Sequence, residues 1–257
     1  MTSYEKVKAA RSESRPGALD YISNIFSSFI EFHGDRKFGD DGAIVGGLAY
    51  LGDIPVTLIG IERGKNTLER ISRSFGSPNP EGYRKAVRLM REAEKFSRPV
   101  ITIVDTSGAY CGVGAEERGQ SEAIAESITT MMGLSVPTLA LLIGEGGSGG
   151  ALALMAASEV WMLENSVYSV ISPEGCASIL FKDAKEASKA AENLKLTAED
   201  ALEFGVAEKI IPEDNLGSPE FYSSLKSMME GKIRSMMGRD DLAYERYLRF
   251  RKFGESR

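Results

Sequence analysis

Histidine and cysteine are almost missing from this chain: its 257 residues include one histidine, His33, and two cysteines, Cys111 and Cys176. No C-x-x-C or H-x-x-x-H spacing exists, so the chain carries no zinc site of its own. Two thiols make no disulfide scaffold and fit a reducing compartment. No apolar run reaches the roughly 20 residues that cross a bilayer, and residues 1–16 lack the apolar core of a signal peptide. A soluble, cytoplasmic protein without membrane contact is therefore expected. Excess positive charge is missing too. The formal net charge of -6 repels nucleic acid and anionic membrane on average, which disfavours both as main partners.

Glycine, in contrast, is abundant, with 27 residues against an average share of about 7%. The length allows a full core and suits one α/β domain over residues 1–257. After a polar stretch at 1–20, Tyr21, Ile22, Ile25, Phe26, Phe29 and Ile30 recur at helical spacing and predict a first helix. Residues 43–51 and 54–62 are β-rich and joined by Gly52 and Asp53, which reads as a hairpin with Pro55 at an edge or strand start. Residues 63–78 read as loop. Asn79 and Pro80 then cap and open a helix whose inward face is Ala86, Leu89, Met90, Ala93 and Phe96, ended by Pro99.

From there strands and helices alternate: strand 100–105, helix 116–132, strand 138–143, helix 149–157, strands 160–163 and 167–171. Short apolar strands alternating with amphipathic helices imply a largely parallel sheet with right-handed crossovers. Thr197 and Asp200 make a capping box for a short helix ending at Gly205, residues 206–211 read as a last strand, and 219–257 as a charged helical tail rich in methionine.

Two turns interrupt this alternation with clustered glycine: 107–114, from Ser107 to Gly114, and 144–150, from Gly144 to Gly150. Each joins a strand end to a helix start, where unpaired N–H groups and the positive end of the helix dipole collect. Glycine suits a backbone that must approach a ligand closely. For a single such turn, tight strand-to-helix packing alone is a common explanation; for two consecutive ones it is weaker. Neither G-x-x-x-x-G-K-[ST] nor G-x-G-x-x-G is read in these turns, and a nucleotide fold is set aside. Ser148 fits the nucleophile elbow G-x-S-x-G, but a hydrolase needs a base; His33 reads as a surface residue, leaving Lys65 or Lys182. Cys111 reads as a small filler, Glu116, Glu117 and Arg118 as first-turn helix stabilisers, and Arg63, Lys65, Arg84 and Lys85 as solvated charge unless they meet a carboxylate or phosphate.

Several long runs, in order, carry a resemblance. They are Arg15 Pro16 with Leu19 Asp20 Tyr21 Ile22; Gly34 Asp35 Arg36; Ala43 Ile44 Val45 Gly46 Gly47; and Phe75 Gly76 through Pro80 Glu81 Gly82 Tyr83 Arg84 Lys85 Ala86. More specific are 112–125, opening Gly112 Val113 Gly114 Ala115 Glu116 Glu117 Arg118 Gly119 Gln120, then 143–151, and 168–180 with Tyr168 Ser169 Val170 Ile171 Ser172 Pro173 Glu174 Gly175. Over about residues 4–212 the chain resembles the carboxyltransferase α subunits of the multi-subunit acetyl-CoA carboxylases. That family belongs to the crotonase-like superfamily, which implies a ββα superhelix, a mostly parallel sheet with flanking helices, a core at about 20–212 and a helical C-terminal tail.

The resemblance implies transfer of a carboxyl group from carboxybiotin, borne on a biotin carboxyl carrier protein, to acetyl-CoA, giving malonyl-CoA for fatty acid biosynthesis. It implies a carboxyltransferase β subunit with a zinc ribbon that binds most of the CoA, an α2β2 assembly, and no metal on this chain. By motif position, the amides of Val113 or Gly114 and of Gly146 or Gly147, with Gly112 beside the first pair, hold the biotin ureido oxygen. One preorganised donor is worth roughly 3 kcal/mol to a developing oxyanion, so two supply much of the catalysis without a side-chain acid or base. Biotin freed of its carboxyl group then serves as base for the acetyl methyl, which suits a chain with one histidine. Ser107 and Cys111 stand where the family commonly has proline, making the first turn less rigid, and the chain starts near the family's core without its longer N-terminal helical extension. Another acyl-CoA such as propionyl-CoA, a stand-alone crotonase-type hydratase or isomerase using Glu145 or Glu117, and an RNA-binding scaffold around Arg63 and Lys65 are the rivals.

Overall fold

A computed structural model describes residues 1–253. The polar start holds a helix, α1 (Ser3–Ala10), nucleated by a capping box between Thr2 and Glu5. α2 (Ala18–Ile25) carries the expected stripe but stops at Phe26; Phe29 and Ile30 belong to a strand, β1 (Ser27–Glu31). Ser28 turns the chain at φ +53, and antiparallel pairing of Ile30 with Leu48 outweighs the helical spacing. β2 (Ile44–Leu51) and β3 (Ile54–Ile61) form the expected hairpin, closed at Leu51 opposite Ile54. The stretch read as loop contains α3 (Thr67–Ser72), capped by Asn66 Oδ1, which accepts from Glu69 N at 3.0 Å.

α4 (Pro80–Lys95) begins at Asn79 as read, yet the Asn79 side chain does not cap it and donates instead to Asp41 Oδ2 at 3.1 Å. Phe96, read as inward, lies past the helix end and is 60% exposed, with Arg98 over its ring. β4 (Val100–Thr106) leads to α5 (Val113–Glu117) and α6 (Gln120–Gly133), two helices in place of one because Gly119 breaks the run at φ +81. β5 (Thr138–Gly147) extends past Ile143 into the second glycine turn, followed by α7 (Ser148–Met155), β6 (Glu159–Leu163) and β7 (Val167–Ser169). Beyond Ser172, which caps it, come α8 (Pro173–Leu180) and α9 (Ala187–Leu194), neither foreseen. α10 (Ala198–Glu203) starts at the Thr197 and Asp200 capping box; β8 (Lys209–Ile211), α11 (Pro219–Met236) and α12 (Leu242–Arg251) complete the chain.

The strands form one sheet in the order β1-β2-β3-β4-β5-β6-β8, with β7 pairing the end of β5; pairs from β3 onward are parallel. Both faces are buried, as continuous apolar strands require. Leu139, Leu141 and Ile143 of β5 share a core with Ile22 of α2 and Leu225 and Met229 of α11. Ala140 and Leu142, pointing the other way, share one with Leu89 and Met90 of α4 and Leu154 of α7. Among the described residues no helix is long and apolar enough to cross a membrane.

α12 is fastened by an unusual buried cation. Arg246 is 1% exposed, and its Nη1 donates to Met131 O, Met132 O and Leu134 O at 3.0, 2.9 and 2.9 Å, while Nε and Nη2 reach Ser158 Oγ. The guanidinium thus caps the C-terminus of α6, where carbonyls lack partners and the dipole is negative. Burial pushes its pKa down to about 10, with Glu94 opposing at a distance. Removing it leaves the Met132 and Leu134 carbonyls without this partner, while Met131 O keeps the Leu134 N–H at 3.4 Å. Arg246→Ala is therefore expected to cost roughly 3 kcal/mol in urea unfolding; an unchanged midpoint would mean that α12 docks without this cap.

Candidate functional site

β4 and β5 are parallel neighbours, so the turns that follow them leave the same edge of the sheet. They touch through main chain. A Cβ on Gly147 would lie 2.1 Å from Ser107 O, and one on Gly150 2.4 Å from Ala109 N. Gly108 sits at φ +145, a conformation open to glycine alone. Thr106 Oγ1 accepts from Gly108 N at 3.0 Å, and the buried Tyr83 hydroxyl donates to Gly150 O at 3.2 Å. Gln120 Nε2 ties Tyr110 O to Pro78 O, both at 2.9 Å, which secures the first turn from α6.

The contact between the turns is made by 107–109 and 147–150. Val113 and Gly114 lie further on, opening α5, and Gly112 precedes them with its Cβ position 2.8 Å from the Tyr110 ring. Arg118 Nη1 donates to Gly114 O and its Nε to Glu81, so this arginine closes α5 rather than merely decorating a first turn. Gly146 stands between Thr106 of β4 and Tyr168 of β7, and Gly147 opposite Ser169. A cavity of about 60 Å³ is bounded by Gly146, Gly147, Ser148, Ser169 and Ile171; it shares Arg11, Ser107 and Glu145 with a cleft of about 320 Å³ that reaches Arg63 and Phe75. A larger cavity of about 1080 Å³ lies between α10 and α12, and much of its charge is closed in pairs, Arg249 with Glu208 and Lys232 with Glu159.

Several candidates resolve differently from their sequence reading. Ser148 holds the strained φ of +51, as an elbow serine does, yet among the described residues no base is hydrogen-bonded to its hydroxyl. His33 lies in the loop after β1, exposed and bonded to Asp40. Cys111 is exposed and fills no gap; Cys176 is buried. Contrary to the sequence reading, Gly144, Gly146 and Gly149 do fit G-x-G-x-x-G, but Gly144 backs onto Asp105 and Gly146 onto Tyr168 and Leu142, so packing explains them without a pyrophosphate. Nor are the basic residues free. Arg84 pairs with Asp35 and Glu81, Lys85 is buried against Asp40, Lys65 meets Asp20, and Arg63 bridges Asp105 and Glu145. The Asp105 carboxyl is pushed above its usual range by burial, with Arg63 and the Glu145 N–H pulling against it. Among the described residues no group of three or more His, Cys, Asp or Glu is placed to hold a metal.

A family model described as acetyl co-enzyme A carboxylase carboxyltransferase-like matches residues 1–254. The acetyl-coenzyme A carboxylase carboxyl transferase subunit alpha of Ruminiclostridium cellulolyticum is 55% identical over 256 residues, 99% of this chain and 98% of that protein. The protein named acetyl-coenzyme A carboxylase carboxyl transferase subunits beta/alpha of Natranaerobius thermophilus is 55% identical over 260 residues, 99% of this chain and 43% of its own length. Among solved structures, a Pseudomonas malonate decarboxylase hetero-tetramer in complex with coenzyme A has a chain that superposes with a TM-score of 0.73 at 16% identity, covering 89% of this chain and 91% of that one.

Backbone contact between the turns makes a simple prediction about added methyl groups. Gly147→Ala, driven into Ser107, is expected to lose about 1–3 kcal/mol of stability in denaturant unfolding. Gly149→Ala, whose Cβ meets only Ile124 at 3.6 Å, leaves stability unchanged or raises it. Equal losses at both positions would contradict the contact.

Proposed function

The chain belongs to the acetyl co-enzyme A carboxylase carboxyltransferase-like family, and on that premise we propose that it is the α subunit of an acetyl-CoA carboxylase carboxyltransferase. With a β subunit it moves a carboxyl group from carboxybiotin, borne on a carrier protein, to acetyl-CoA, and the malonyl-CoA formed feeds fatty acid biosynthesis. Its fold is crotonase-like, α/β with a mostly parallel sheet and flanking helices. One observation carries the reading: two glycine turns beyond the carboxyl ends of β4 and β5 pack backbone to backbone. Open α/β sheets bind ligands at such ends, where main-chain N–H groups gather.

Carboxybiotin, when bound, supplies a labile carboxyl group and a ureido oxygen that becomes negative as that group leaves. The part of this chain is to hold that oxygen. Val113 or Gly114 donates from the start of α5, where among the described residues neither N–H meets a backbone acceptor. Gly146 or Gly147 is the second donor, at the end of β5 beside the small cavity, where that strand end also pairs with Thr106 of β4 and with Tyr168 and Ser169 of β7. Donors fixed by packed main chain need no reorganisation as charge develops. Side-chain acid–base work fits poorly here, because Glu145 is held by Arg11 and Arg63, which counts against its use by a hydratase. Basic clusters closed by carboxylates count equally against RNA binding.

The β subunit brings the CoA site and covers the glycine face, giving α2β2 in the cytoplasm. Apolar side chains beside the cleft support this. α3 buries none of its residues, and Leu68, Ile71 and Phe75 are 80%, 59% and 56% exposed. A relative joins beta and alpha in one chain.

Mixed with its β subunit, a carboxylated biotin carrier and acetyl-CoA, the folded chain is expected to yield malonyl-CoA; no product from correctly assembled components would overturn the reading. Replacing Leu68, Ile71 and Phe75 together by serine is expected to weaken α–β association at least about tenfold in calorimetry, with the melting temperature of isolated α unchanged. Undiminished association would place the partner on another face.

A further inference from the structure

Behind the second glycine turn lies a collar of charge. Val104 of β4 pairs with Leu142 of β5, but Thr106, two residues on, pairs with Gly146 rather than Gly144. β5 therefore bulges through residues 143–145, and Asp105 is what it bulges around. A Cβ on Gly144 would lie 2.3 Å from Asp105 Oδ1, and the Glu145 N–H donates to that same oxygen at 2.9 Å. Arg63 joins the two sides: its Nη2 is 3.1 Å from Asp105 Oδ1 and 2.9 Å from Glu145 Oε2. Arg11 takes the other Glu145 oxygen at 2.7 Å, and Arg15 donates twice to Ile143 O, at 3.1 and 2.8 Å.

Without Arg63, two partly buried carboxylates would face each other across the bulge, and each would gain by moving apart. The residues next along β5 are Gly146 and Gly147. We propose that Arg63 is a positioning residue for carboxyl transfer: by bridging Asp105 and Glu145 it fixes the bulge, and through it the direction of the Gly146 and Gly147 N–H groups. It touches neither biotin nor the acetyl group. Lysine is a poor substitute, because its ammonium ends about one bond short of Nη2, the single nitrogen that meets both carboxylates. The proposal rests on the carboxyltransferase reading given above.

The test uses the α–β complex with wild-type, Arg63→Ala, Arg63→Lys and Asp105→Asn chains. Misdirected donors predict that Arg63→Ala lowers kcat about 100-fold while KM for acetyl-CoA stays within about twofold, with Arg63→Lys recovering only part of the loss. Hydrogen exchange at residues 143–149 is expected to quicken at least about tenfold in Arg63→Ala, while the β2–β3 hairpin keeps its wild-type protection. A wild-type kcat, or exchange that quickens equally throughout the molecule, would overturn the proposal. Should Arg63→Ala fail to fold, Asp105→Asn decides: it retains an acceptor for the Glu145 N–H and loses the ion pair. A fall in its kcat at constant KM supports the bridge, and an unchanged kcat refutes it. A wild-type complex that transfers no carboxyl group would sink the assigned activity, and the exchange comparison alone would then decide the positioning.

Discussion

Main chain meets main chain where the turns after β4 and β5 touch, and the space between them is too small for any side chain. Gly147 presses against Ser107, Gly150 against Ala109, and Gly108 adopts a backbone that other residues avoid. The position of the N–H groups there is consequently set by strand register and helix packing rather than by rotamers. Tyr83 from α4 and Gln120 from α6 hold the two turns from outside, and both helices lie on the same face of the sheet, so one layer braces this small region. Donors of this kind act on developing charge without first reorganising. A chain with a single, exposed histidine can in this way take part in chemistry that makes and discharges oxyanions.

The same region concentrates opposite charge. Asp105 and Glu145 would destabilise each other at this burial, but Arg63 lies between them and Arg11 completes the pairing of Glu145. Arg15, pinned by Glu213, grips Ile143 O on the far side. Arg11 and Arg15 follow α1, so the N-terminal segment is structurally part of the second turn. Arg11 also reaches Glu174 at the start of α8, which links that turn to the wall formed by Ser169 and Ile171.

Much of the architecture is legible from local pattern. The hairpin follows from Gly52 and Asp53 between β-rich runs, the parallel layers from apolar strands alternating with helices, and α10 from the Thr197 and Asp200 box. Failures have identifiable causes. Phe29 and Ile30 continue a helical stripe, and only pairing with a distant strand makes them β1. α3 shows no inward face because Leu68 and Ile71 point to solvent, so amphipathic periodicity had nothing to detect. The caps at Thr2 and Ser172 were local signals within reach. At the site, both glycine turns were visible as composition, whereas the collar was not: Arg11 and Glu145 lie 134 positions apart, and Arg63 and Glu145 82. Charged residues so separated read as solvated surface until the fold brings them together.

The central claim concerns where a ureido oxygen sits, and the most direct measurement is a structure of the α–β complex with biotin bound. The oxygen is expected within about 2.7–3.1 Å of one amide nitrogen at Val113 or Gly114 and one at Gly146 or Gly147. A ureido oxygen turned toward side chains, or lying more than about 3.5 Å from every one of those amides, would contradict the account.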